Sequence, residues 1–430
     1  MRFGAGKSCR PSGALAEHLN ISRITVENAY NQLVTEGYLR SRPKSGYYAE
    51  TLEALPQQLP PVQELAPVAP AAPPTVSAGQ FPFSIWARLM RGVLLDQHDL
   101  LLQPPPNTGL PQLRQAIAGM LRRSRGMEVS PENIVIGAGA EYLYNILIQL
   151  LGKDLCYGLE NPGHRKIRQV YAANGVEICP VALDEGGVSF PSLLASHANV
   201  LHFSPGHQYP IGVVMPIVRR RQLMNWVGSR ENHWLIEDDY DSEFRFSGKP
   251  VPTMYSMDNL GRVIYLNTFS RTITPALRIS YMILPDALMA RYRRKLGFYS
   301  CTVPSMEQLT LARFLEEGHF EKHVSRMKRH YRLLRDQFLR LLRQSCKADR
   351  MTVQGDEAGL HFLLQLDTAL SDEEIETRLA EGGVRAACLW HYAMGLPEEA
   401  VRGRVVIQYS DLAEADLPRV VERLEELVRE

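Results

Sequence analysis

The sequence has no long apolar run. None reaches the ~20 residues that a helix needs to span a bilayer, and the opening MRFGAGKSCR holds no signal-peptide core. A cytoplasmic location, with no membrane partner, is the expectation. Charge of one sign is also lacking: 48 Lys and Arg against 47 Asp and Glu leave a net +1. Any nucleic-acid surface must therefore be a local basic patch. Cysteine is sparse, with six residues at Cys9, Cys156, Cys179, Cys301, Cys346 and Cys388. They form no CxxC pair and no Cys/His ligand spacing, which argues against a zinc site and a disulfide scaffold. Free thiols and no metal are expected. No internal repeat occurs. What is present is ordinary for a globular protein: 45% hydrophobic residues and 22% charged. At 430 residues the chain exceeds one compact core.

A Pro- and Ala-rich stretch, residues 51–80, carries few large apolar residues and no helical or strand period. It reads as a linker between a head, residues 1–50, and a body, residues 81–430. In the head, PSGALAEHL sets Leu15, Ala16 and Leu19 at helical spacing. Asn20-Ile21-Ser22 is a turn, with Ser22 as N-cap. RITVENAYNQLVTEG lines up Ile24, Ala29, Leu33 and Val34 before Gly37 stops the helix. YLRSRPKSGYYAE then reads as a hairpin turning between Pro43 and Gly46. Two short helices and a basic hairpin are the outline of a winged helix-turn-helix.

A recognition helix needs polar side chains at its groove-facing N-terminal end. Ser22, Arg23, Thr25 and Asn28 supply them. Arg23 suits guanine, and Asn28 suits adenine or a phosphate. Arg40, Arg42, Lys44 and Ser45 make the hairpin polar and basic, fit for the DNA backbone or minor groove. The alternative is a small interaction domain with a solvated basic face.

The body alternates apolar strands and helices, as in NIVIGAG before AEYLYNILIQLLG, and NVLHFSP before IVRRRQLMNWVGSR. That alternation indicates an α/β fold with a largely parallel sheet. HWLIEDDYD and RVIYLNTFS are further strands. A long helical region is broken near Gly318, and VVIQYSDL precedes a closing amphipathic helix. IEDDYDSEFRF ends a strand in carboxylates, where open α/β sheets bind ligands. Metal ligation and a solvated acidic loop are the alternatives there. Gly139 lies between a strand and a helix, a junction that can hold a phosphate or be a tight turn. Arg278, after Pro275, is a phosphate partner in reach of sequence reasoning.

SRITVENAYNQLVTEGYLRSRPKSGYY resembles the DNA-binding domain of the GntR regulators. The order VIGAGAEYL, ENPGHRKI, SPGHQYPIG, EDDYDSEFRF and TFSRTITPALRISYMILP resembles the fold type I aminotransferases. Joined by a Pro-rich linker, the two resemble the MocR subfamily, over nearly the whole chain from Ser12. The resemblance implies a fold type I aminotransferase-like large domain, a small α+β C-terminal subdomain and a winged helix-turn-helix head. A GntR-type head starts with a further helix, for which Met1–Arg10 leaves little room, so a head lacking that helix is expected.

The same resemblance assigns roles around pyridoxal phosphate. Asp238 matches the aspartate on the pyridine nitrogen, and Tyr240 the tyrosine beside the phenolic oxygen. Gly139, Ala140, Ser270 and Arg278 match the phosphate cup. His164 takes the ring-stacking position, and Tyr209, in HQYPIG, joins the cofactor-binding set. Arg404 is the choice for a clamp on a ligand carboxylate. The departures fall in one place. Arg271 stands where the family has its Schiff-base lysine, Ala140 lacks the usual hydroxyl, and His164 replaces a tyrosine. A guanidinium stays protonated and is a poor nucleophile. No catalytic residue is therefore expected; Arg271 pairs with Asp238 or holds a phosphate or carboxylate. The expectation is a homodimeric regulator of double-stranded DNA that senses a small effector, an amino acid or a pyridoxal phosphate-like molecule. Pyridoxal phosphate would be held non-covalently or not at all. An aminotransferase-like enzyme and an inactive remnant are the competing readings.

Overall fold

A computed structural model describes residues 7–50, 81–246 and 251–428. The expected linker, 51–80, lies outside the described residues. The chain divides into two compact units, residues 1–72 and 73–430.

In the first unit, helix Ser12–Leu19 ends at Asn20, whose φ of 52° is left-handed. Ser22 then caps helix Arg23–Thr35, its side chain accepting from the Thr25 N–H at 3.1 Å. Strands β1 (Leu39–Arg42) and β2 (Gly46–Ala49) pair antiparallel, Leu39 opposite Ala49. The core of this unit is Ala16, Val26 and Tyr30. This corrects the expected apolar side of the second helix, because Ile24 is 70% exposed and Ala29 is also exposed. Tyr30 decides which side turns inward. Its ring packs 4.8 Å from that of Tyr47, and its hydroxyl donates to the Arg10 carbonyl at 3.0 Å. Val26, one helical turn earlier, follows it into the core.

The second unit holds an eight-stranded sheet of β3 (Ile134–Gly137), β4 (Cys156–Asn161), β5 (Glu177–Asp184), β6 (Gly187–Val188), β7 (Val200–Phe203), β8 (Trp234–Asp238), β9 (Val263–Thr268) and β10 (Ser280–Ile283). Its order is β3-β10-β9-β8-β7-β4-β5-β6. The run from β9 through β5 is parallel, while β10 and β6 pair antiparallel with their neighbours. Side chains alternate between two covered faces. Ile264 and Leu266 join the core of helix Ala140–Leu151, whereas Val263 and Tyr265 join cores on the other side. Each such fully buried aliphatic side chain contributes roughly 1.5–3 kcal/mol.

A smaller antiparallel sheet follows, of β11 (Met351–Gln354), β12 (Phe362–Leu366), β13 (Ala387–Cys388) and β14 (Arg404–Ile407), in the order β11-β12-β14-β13. Helices His319–Gln344 and Leu417–Leu427 cover it with a shared apolar core. The preceding helix, Ser305–Glu316, is separated from His319–Gln344 at Gly318, whose φ is 69°.

The cysteine expectation needs a correction. Cys156 and Cys179 are joined by a disulfide, with Cα atoms 6.3 Å apart. The two lie on adjacent parallel strands, Cys156 opposite Glu177. Pairing between strands, not sequence spacing, brings them together. Cys9, Cys301, Cys346 and Cys388 are free thiols.

Candidate functional site

The parallel strands β4, β7, β8 and β9 all end at one rim, and the residues just past their ends surround a cavity of about 190 Å³. Brought together in its lining are Ala140, His164, Tyr209, Asp238, Tyr240, Ser270, Arg271 and Arg278. These expected residues come from segments more than a hundred positions apart.

Asp238 ends β8 and is 6% exposed. Its Oδ2 accepts from the Tyr144 hydroxyl at 2.6 Å and lies 3.3 Å from His202 Nε2. His202 Nδ1 is 3.0 Å from the Tyr171 hydroxyl. A proton on Nε2 satisfies both contacts, because Nδ1 then accepts from Tyr171. Burial and the neighbouring Asp238 keep the Tyr144 phenol protonated. His164 caps helix Arg165–Ala173 through Nδ1, and its ring is 5.1 Å from that of Tyr209. Burial pushes the His164 pKa down to about 4, so its ring is neutral at pH 7. Tyr209 and Tyr392 share a hydroxyl contact of 3.1 Å. Tyr240 reaches His207 Nδ1 at 3.3 Å.

The opposite end is built on Gly139, the N-cap of helix Ala140–Leu151, with a φ of 93°. That φ disfavours any L side chain, and a Cβ on Gly139 would also displace the Arg278 guanidinium. Ser270 Oγ is buried and has no hydrogen-bond partner among the described residues. A glycine cradle at a helix N-terminus, beside an arginine and an unpartnered hydroxyl, has the shape of an anion cup. Yet Arg278 already donates to Glu141 Oε2 at 2.7 Å, and Lys166 Nζ donates to Glu141 Oε1 at 2.8 Å.

Arg271 lies in the short helix Phe269–Thr272 and is half-buried in the cavity wall. The expected pairing with Asp238 does not form. Among the described residues Arg271 has no hydrogen-bond or ion-pair partner; Tyr144 and His202 hold the aspartate through Oδ2. Tested against pyridoxal phosphate, the cavity retains the aspartate and the cup. It offers a guanidinium at Arg271 and no amine there for covalent attachment, and Glu141 already holds the Arg278 and Lys166 cations.

Arg404 is not in the lining. Its Nε donates to Gln365 Oε1 at 2.8 Å, and Val406, two residues on along the same strand face, packs in a cluster with Tyr209 and Tyr392.

Several lining residues were missed: Glu141, Tyr144, Glu160, Lys166, His202 and Tyr392. Glu160, in β4, is 7% exposed, accepts the Ser204 N–H at 3.2 Å and leaves Oε1 unpartnered among the described residues. Burial raises its pKa to about 8. Beside the cavity, His207, Asp241 and His361 offer ligand atoms all within 4.8 Å of one another. His207 Nδ1 lies 2.8 Å from Asp241 Oδ2. The carboxylate run lacks nearby histidines in sequence, and the fold supplies them from distant segments.

In the first unit Ser22, Arg23, Thr25, Asn28, Arg42, Lys44 and Ser45 are all exposed. Arg23 is engaged by Glu27 at 2.7 Å, and Arg42 lies over the Tyr48 ring, 5.0 Å from its centroid. Ser45 Oγ is 2.6 Å from the Tyr48 hydroxyl.

This fold and cavity define an aminotransferase-type body, and residues 76–424 match the family model "Aminotransferase class I and II". An archaeal alanine:glyoxylate aminotransferase superposes with a TM-score of 0.74 at 22% identity, over 82% of this chain and 88% of that one. The uncharacterized HTH-type transcriptional regulator YdeL of Bacillus subtilis is 33% identical over 98% of this chain and 92% of its own length. The probable rhizopine catabolism regulatory protein MocR of Rhizobium meliloti is 33% identical over 86% of this chain and 80% of its own. The chain belongs to the aminotransferase class I and II family, in the branch of HTH-type regulators of the MocR type. No helix among the described residues is long and apolar enough to cross a membrane.

Proposed function

We propose that the chain is a DNA-binding transcriptional regulator whose body senses a small ligand without covalent pyridoxal phosphate chemistry. Residues 1–50 act as the DNA-binding head, 51–80 as the linker and 81–430 as the effector and dimerisation body. The observation that carries the second half is Arg271. It lines the cavity at the position to which the family resemblance assigns the Schiff-base lysine, and a guanidinium does not attack an aldehyde as an amine does. Arg271 instead offers its planar donors to a ligand carboxylate. His164 supplies a neutral ring to stack on, and Tyr209 and Tyr240 bound the other side. Asp238, pinned by Tyr144 and His202, orients a cationic or N–H group of the ligand. A homodimer would present two heads to paired half-sites.

Gel-shift with DNA upstream of the chain's own gene, at stated salt, tests the head. Arg23→Ala is expected to weaken binding by about 1–3 kcal/mol, as for loss of a base contact. Equal binding by chains with and without residues 1–50 would overturn the assignment. Borohydride reduction after mixing with pyridoxal phosphate tests the body: no adduct is expected on the peptide that contains Arg271. The enzyme reading draws on the retained Asp238, Tyr240 and Arg278, and amino-group transfer by the purified chain would favour it.

A further inference from the structure

We infer that Glu141 is the chain's own occupant of the anion cup, and that it makes the cavity select against phosphate-bearing ligands. The inference rests on the reading of the cavity as a ligand-sensing site.

Glu141 is the second residue of helix Ala140–Leu151, where the first N–H groups have no intrahelical acceptor. Such an end attracts an anion. Its two carboxylate oxygens take one cation each, Arg278 at 2.7 Å and Lys166 at 2.8 Å. The Arg278 and Glu141 heads lie over Gly139: a Cβ there would strike Arg278 and stand 3.0 Å from Glu141 Oε2. One side-chain carboxylate thus meets two cations and a helix end, the elements that a bound phosphate would use. The Glu141 side chain is 27% exposed, and the hydrogen bonds from Lys166 and Arg278 outweigh its burial, taking its pKa to about 2. It is ionised throughout the neutral range.

Arg278 and Lys166 are each at least half exposed, so these pairs add little to stability. Their consequence is for binding. A phosphate carries up to about two negative charges at pH 7. Entering the cup, it meets a fixed carboxylate, or it displaces Glu141 and breaks two charge-assisted hydrogen bonds. Either route removes the gain that the cup offers elsewhere in fold type I proteins. Of the cations lining the cavity, Arg271 is the one without a hydrogen-bond or ion-pair partner among the described residues. The ligand this charge pattern accepts carries a carboxylate and no phosphate.

The test titrates the full-length chain, Glu141→Gln and Glu141→Ala with pyridoxal phosphate, pyridoxal and inorganic phosphate, followed by calorimetry. The wild type is expected to bind pyridoxal phosphate no more tightly than pyridoxal. Both variants are expected to gain about tenfold or more for the two phosphate probes, and nothing for pyridoxal. A wild type that prefers pyridoxal phosphate over pyridoxal by about tenfold overturns the inference, as does the absence of a gain in both variants. Near-wild-type unfolding midpoints confirm that the variants fold. Gel-shift on the same samples separates the two readings: failure of the wild type to bind DNA sinks the regulator, whatever the phosphate result.

Discussion

The two ends of the cavity have kept different things. At the Asp238 end, Tyr144, His202 and Tyr171 form a buried hydrogen-bonded chain with each donor matched to an acceptor. At the Arg271 end, the guanidinium is unpartnered among the described residues, and Arg278 is spent on Glu141. On the proposed reading, the first end is the electrostatic frame of the ligand site, and the second is the position where a covalent attachment would need an amine. A frame of buried polar groups is costly to dismantle, because each group left without a partner keeps its desolvation penalty. An exposed or half-exposed end can change its residues at little cost to folding. The contrast is one of constraint: the Asp238 end is held by folding, and the Arg271 end is not.

The contrast breaks most visibly at Asp238. Asp238→Ala strands the Tyr144 hydroxyl and His202 Nε2 in a buried site. Two orphaned donors cost about 2–5 kcal/mol in all. Denaturant unfolding measures it, and a loss below about 0.5 kcal/mol would mean that the frame is not held by folding.

Glu160, on the same rim, makes a graded test through pH. Its pKa is about 8 in the folded chain against 4.5 for the free side chain, and burial is the main cause. The folded state therefore keeps a proton that the unfolded state has lost between these values. Stability from this group is full below about 4.5, falls as pH rises, and levels off above about 8. Burial also raises Glu237 and Glu243 to about 7, so they act in the same direction. Between pH 7 and 8 Glu160 gives the largest share of the slope, because the other two are already about half titrated at pH 7. Glu160→Gln retains an acceptor for the Ser204 N–H and removes up to about 1.4 kcal/mol per pH unit from the slope in that window. Unfolding curves at pH 5, 7 and 8 read it out; an unchanged slope from 7 to 8 would mean that Glu160 is charged in the folded state.

Sequence reached unequal depths in the two ends. A carboxylate at a strand terminus and the spacing Ser270, Arg271 and Arg278 around Pro275 are local patterns, and they led to the cavity wall. His202 carries no local mark. It matters because β7 lies beside β8 in the parallel sheet, which places its imidazole against Asp238. Tyr392 and His361 reach the site from the smaller sheet's half of the body, across separations that no period reveals. Glu141 was within reach, since it follows Ala140 at the helix start. The largely parallel α/β sheet and the break near Gly318 were legible, because apolar strands alternating with helices and a glycine within a helical run are local signals; the strand order was not. The inward side of the Arg23–Thr35 helix was not, because a tyrosine's contacts with Tyr47 and Arg10 decide it.

The smallest effect sharpens the comparison best. Arg271→Ala removes a cation with no hydrogen-bond or ion-pair partner among the described residues, so stability should move by no more than about 0.5 kcal/mol. Arg271→Lys should be equally mild, yet it restores an amine beside the Asp238 frame. If the frame persists in working geometry, this variant gains a borohydride-trapped pyridoxal adduct on the peptide carrying position 271, while the wild type and Arg271→Ala show none. Unphosphorylated pyridoxal is the better probe, since Glu141 does not oppose it. A stable Arg271→Lys chain that traps no adduct would place the obstacle in the frame itself and not in the single residue at 271.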